Sequence, residues 1–173
     1  MKFIVSILCF VLIGSTGFCQ DIDAEAFKTD ILALYNASKK SLTSVKDGAS
    51  VGNEDGRKKY NSTVILSGSK TAYILEDDEK TNTYIATYTF KNVRTPSEKV
   101  DEIVHLIHEA TAEFGLEIGK ATDIKYVGYQ KKTIEFPSDN IDDMGKYPSF
   151  HVGLVKDGNP MELEVQVNEI LWK

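Results

Sequence analysis

The sequence predicts an α+β fold: a two-layer sandwich, one antiparallel sheet of about six strands with two helices packed on one face, in the order α-β-β-β-α-β-β-β. Three observations predict it. Two stretches place apolar residues at helical spacing, and several shorter ones alternate apolar and polar residues with period two. The helices do not alternate with single strands, as they would above a parallel sheet.

Residues 1–19 stand apart from that fold and read as a cleaved signal peptide. Lys2 supplies the positive start, Phe3 to Ile13 an apolar run, and Gly17-Phe18-Cys19 a small-x-small cleavage pattern. The run is too short for a bilayer, which takes about 20 residues, and no stop-transfer pattern follows it. The segment resembles bacterial export signals that are cut just before a glutamine, here Gln20. Acylation of Cys19 is the alternative, although Phe18 stands where lipoprotein signals carry a small residue. We therefore expect residues 20–173 to form a single exported domain, periplasmic or extracellular, with no membrane attachment after cleavage.

Composition bounds its chemistry. Both cysteines, Cys9 and Cys19, fall in the signal, so the mature domain is cysteine-free. Thiol nucleophiles, redox pairs and thiolate metal sites are excluded. Without Lys2, 19 basic residues face 26 acidic ones, a net charge of −7. A net acid without a basic stretch argues against nucleic acid and anionic membranes as partners.

Asp23 to about Val45 predicts the first helix, with Phe27, Ile31, Leu34, Ser38, Leu42 and Val45 on one stripe. Acidic residues near its start and lysines near its end suit the helix dipole. Residues 48–59 are rich in Gly, Asn and charge and read as a mobile loop. Tyr60–Leu66 and Thr71–Glu76 predict strands around a Ser67-Gly68-Ser69-Lys70 turn, and Thr83–Lys91 predicts the clearest strand. There Tyr84, Ala86, Tyr88 and Phe90 point one way.

Thr95-Pro96-Ser97-Glu98 reads as a capping box opening the second helix. Val100, Ile103, Val104, Ile107, Thr111 and Phe114 form its buried stripe, and Gly115 ends it. Ile124–Gln130 and Lys132–Phe136 predict strand, followed by an acidic loop to Tyr147. Phe150–Lys156 and Met161–Asn168 then flank an Asp157-Gly158-Asn159-Pro160 turn. Helix-then-strands thus occurs twice, at roughly 22–91 and 95–171, without residue-level identity between the halves. Tandem units of this kind are similar in architecture to secreted enzyme inhibitors, and one-layer variants to secretion chaperones; no motif here ties the chain to either.

Candidate chemistry is sparse. His105, His108 and Glu109 share one helix at spacings of three and four, so their side chains can converge on a metal such as zinc. They lie on the flank of the buried stripe and lack the HExxH pattern. Ser67-x-x-Lys70 matches a nucleophile motif that needs a helix, but it falls in a turn. The clusters Glu76-Asp77-Asp78-Glu79 and Asp139-Asn140-Ile141-Asp142-Asp143 lack calcium-loop spacing. His151, among alternating apolar residues, reads as structural or surface.

Tyrosines are the more suggestive feature: Tyr84, Tyr88, Tyr126 and Tyr129 all lie on predicted strands. An exposed tyrosine face would serve as a binding platform. A face beneath the helices would make Tyr84 and Tyr88 core, which Phe90 beside them and Thr87 and Thr89 opposite favour.

These observations favour a secreted or periplasmic non-enzymatic interaction domain, inhibitor-like or chaperone-like, with a protein partner and no cofactor. The alternatives are a carrier of a small apolar ligand held between helices and sheet, and a metal-dependent hydrolase using His105 and His108.

Overall fold

The computed structural model describes residues 21–119, 122–124, 129–137, 146–156 and 159–170. The expected signal peptide, Tyr126, Trp172 and the 139–143 acidic cluster lie outside the described residues.

Helix α1 spans Ala24–Ser38. Asp23 caps it, its carboxylate accepting the backbone N–H groups of Glu25 at 3.1 Å and Ala26 at 3.0 Å. Phe27, Ile31, Leu34 and Ser38 are buried along the expected stripe. The helix is shorter than the stripe suggests. After Ser38 the chain turns through Ser41 and Leu42, both at positive φ, and enters a 3-10 turn at Thr43–Val45. Leu42 and Val45 are still delivered to the same core.

Strands β1 (Lys46–Glu54) and β2 (Arg57–Ser62) form a hairpin where the sequence suggested a mobile loop. Its turn is Asp55-Gly56, with φ of +51° and +80°. Positive φ at both central residues is the hairpin turn that matches strand twist. Two Lys–Glu–Tyr clusters hold the hairpin to β3 (Thr71–Glu76). In one, Lys59 pairs with Glu54 at 2.6 Å, Tyr73 donates to Glu54 at 3.0 Å, and Lys59 lies 3.7 Å over the Tyr73 ring. In the other, Lys46 pairs with Glu76, and Tyr60 donates to it at 3.3 Å.

Strand β4 covers Asn82–Phe90. Helix α2 follows at Pro96–Thr111, buries Val100, Ile103, Val104, Ile107 and Thr111, and passes through a 3-10 turn to Gly115 at φ +76°. Thr95 stands at its N-cap without a side-chain bond, so the reciprocal capping box is not formed. Strands β5 (Glu117–Ile118), β6 (Thr122–Ile124), β7 (Tyr129–Glu135), β8 (Ser149–Lys156) and β9 (Met161–Asn168) complete the described elements.

The described sheet has nine strands rather than about six, all antiparallel, in the order β1-β2-β3-β4-β9-β8-β7-β5, with β6 also on β7. The order reads the first half forwards and the second half backwards, and the halves join where β4 meets β9. Helix α1 lies against α2, α2 on β7 and β8, and α1 on β9, so both helices cover one face. The core between the layers joins Phe27, Ile31 and Ile103 to Tyr84, Tyr88, Phe150, Leu163 and Val165.

Candidate functional site

Because side chains alternate along a strand, covering one face with helices leaves the other residues of the strands on a face that no helix among the described residues covers. Register aligns them in rows. One row runs Asn61, Tyr73, Ile85, Gln166, His151, Thr133 from β2 to β7. The next runs Thr71, Thr87, Glu164, Gly153, Lys131 from β3 to β7. This face is neither fully solvated nor uniformly charged. Leu75 and Ile85 are 1% and 3% exposed on it, outside the helix-covered core. Thr71 and Thr87 meet hydroxyl to hydroxyl at 2.6 Å.

The second row opens over Gly153. A Cβ placed on that residue would meet nothing within 4 Å. A cavity of about 250 Å³ lies there, walled by Lys131, His151, Glu164 and Gln166 with Leu154 and Val155. Gln166 donates from its amide to Glu164. Ser149 Oγ accepts from Asn168 Nδ2 at 3.3 Å and meets His151 Nε2 at 3.2 Å. Among the described residues, His151 Nδ1 is buried without a hydrogen-bond partner.

Burial, reinforced by the charge of Lys131, pushes the His151 imidazole down to about 4, so it is neutral at pH 7. Burial also lowers Lys131 from its ordinary value, against the attraction of Glu164. Lys131, Gly153, Glu164 and Gln166 carry no local motif, because register alone brings them together. The available signal was a glycine inside a strand, which often marks a close approach or an opening.

The sequence-predicted residues lie elsewhere. Tyr84 and Tyr88 are 0% exposed, which corrects the platform reading and bears out the core one. They face the helices, and their hydroxyls tie down the chain that follows β2. Tyr84 donates to the Val64 carbonyl at 3.3 Å and accepts from Leu66 N–H at 3.4 Å. Tyr88 donates to the Ser67 carbonyl at 3.4 Å. Burial raises both phenols above their ordinary range. Tyr129 begins β7.

Comparison with family models, curated proteins and solved structures finds no match.

His105 and Glu109 do converge, at 3.0 Å, but the other carboxylate oxygen of Glu109 takes Lys28 at 2.7 Å. Lys28 holds Glu109 below the usual carboxylate range. A lysine ammonium in the cluster opposes a second cation, and among the described residues no group of three His, Cys, Asp or Glu is placed to hold a metal. Ser67-Gly68 is a turn, as expected. Ser67 Oγ accepts the Asp23 N–H at 3.1 Å. A second cavity, about 420 Å³, lies at the junction of β4 and α2 with Lys91, Arg94, Glu98 and Glu102 in its wall. The carrier reading requires a closed apolar cavity between the layers, and neither cavity has such a lining.

Proposed function

We propose that the protein is an exported, non-enzymatic interaction domain that holds a protein partner on the helix-free face of its sheet. One observation carries the reading: that face is an ordered surface of polar rows around buried apolar residues, with a recess in it, and both helices lie on the other side. Export rests on the composition of residues 1–19.

The test is affinity capture with residues 20–173 immobilised and exposed to the envelope and culture-supernatant fractions of the source. Thr87→Arg places a long cation in the middle of the free face; Glu113→Arg places one on the helix side. We expect one stoichiometric protein to be retained by the parent chain and by Glu113→Arg, and lost with Thr87→Arg at unchanged circular dichroism. Equal retention by both variants, or no retained protein, refutes the reading.

A further inference from the structure

The recess over Gly153 goes beyond the docking reading and stands without it. Its position follows from register. Lys131 pairs with Gly153, and Gly153 with Glu164, so an ammonium and a carboxylate flank a residue that has no side chain. Their backbones stand two strand spacings apart, about 10 Å.

The neighbouring row supplies a neutral ring. Ser149 Oγ already accepts from Asn168, so its single proton is free for His151 Nε2. A neutral imidazole that accepts at Nε2 carries its hydrogen on Nδ1. Nδ1 is the buried atom without a partner among the described residues. One side of the recess therefore offers the Lys131 ammonium, beside a His151 ring whose Nδ1 is enclosed. The opposite side offers the Glu164 carboxylate, fixed by the Gln166 amide. Val155 adds an apolar side chain at its edge.

With His151 neutral, the lining charges cancel. A metal cation would face Lys131, and a simple anion would face Glu164. The complement is a molecule of zero net charge with its own charges separated. At about 250 Å³ the recess is smaller than the roughly 300–1,000 Å³ of drug-sized sites. We propose that the recess binds a free α-amino acid as its zwitterion, with the carboxylate toward Lys131, the ammonium toward Glu164, and a small apolar side chain against Val155.

Isothermal titration of residues 20–173 with the twenty amino acids tests this, followed by the N-acetyl and amide derivatives of any that bind. Each cap removes one charge, and we expect each to weaken binding at least tenfold, about 1.4 kcal/mol. Lys131→Met should abolish the penalty of the amide cap, and Glu164→Gln that of the N-acetyl cap, because each cap then removes a charge with no partner. Gly153→Val, which fills the space, should abolish binding while the fold is retained by circular dichroism. The proposal is overturned if no amino acid binds at about 10 mM. It is also overturned if capping, or any of the three variants, leaves affinity unchanged. A captured protein partner would survive that outcome, and loss of the docking reading would leave the titration intact.

Discussion

Gly153→Val asks whether the recess is space the fold leaves empty. The residue does not have the positive φ that reserves a position for glycine, and its added Cβ meets nothing within 4 Å. Valine is therefore accommodated without strain. Glycine inside a strand costs roughly 0.5–1 kcal/mol relative to alanine, mostly through the freedom it has when unfolded. A β-branched residue in a strand adds to that on a scale spanning about 1 kcal/mol. The sum is a stabilisation of roughly 1–2 kcal/mol. For a domain of this size, 1 kcal/mol moves Tm by about 2–4 °C, so the expected rise is roughly 2–8 °C. Thermal and urea unfolding followed by circular dichroism measure it, with an unchanged urea slope indicating that both end states are preserved. A lower Tm would mean that the space is not open, and the reasoning about the recess would fail with it. A higher Tm with amino-acid binding lost would identify Gly153 as a residue where stability is forgone for a site.

The other predictions address the hairpin, the tyrosines and pH. Gly56→Ala puts a side chain at φ +80° and should cost about 1–2 kcal/mol in the same unfolding assay, opposite in sign to Gly153→Val although neither Cβ meets a neighbour. Tyr84→Phe should cost roughly 1–3 kcal/mol by leaving Val64 and Leu66 backbone groups unpaired in the core, and Tyr88→Phe about 1 kcal/mol; urea midpoints report both. His151 titrates near 6.5 when unfolded and at about 4 when folded. Between those values only the unfolded chain binds the proton, so its contribution is present above pH 6.5 and lost as pH falls towards 4, by up to about 3 kcal/mol. Subtracting the unfolding profile of His151→Gln isolates it from the carboxylates, and a difference that does not change between pH 7 and 4 would refute the burial assigned to the ring.

Local pattern made most of the fold legible. Met161–Asn168 is a strand over the same residues that alternation marked, because one of its faces is buried and the other is half-exposed. The apolar stripe of the first helix marked core residues correctly and the helix end wrongly. Leu42 and Val45 reach the core through a turn that happens to continue the spacing, and periodicity cannot separate those routes. The β1–β2 hairpin was missed for the opposite reason. From Asp47 to Asn53 the strand is exposed along its whole length and carries no alternation. Asp55-Gly56 was the local sign of it, and composition alone outweighed that sign. The recess was not legible at all beyond its glycine. Lys131, Gly153 and Glu164 are brought together only by the pairing of three strands, which is a property of the whole sheet.

The two halves of the molecule share a plan but not a surface, and that difference bears on where function resides. Strand order makes β3 the counterpart of β8, each being second from the β4–β9 seam of the sheet. On the free face β3 presents Thr71, Tyr73 and Leu75, and Tyr73 is bound by its hydroxyl to Glu54 and covered by Lys59. At the matching place β8 presents Ser149, His151 and Gly153: a small residue, a ring with an unpartnered nitrogen and an opening. One half has closed its free face with side chains that satisfy one another. The other holds a desolvated lysine and a neutral histidine against a gap, an arrangement that burial alone does not favour. A fold under selection only for stability gains by filling such a gap, as the first half has done. The unfilled space over Gly153, beside the unpartnered His151 nitrogen, is what distinguishes β8 from β3 on this face, and it is the space that Gly153→Val tests.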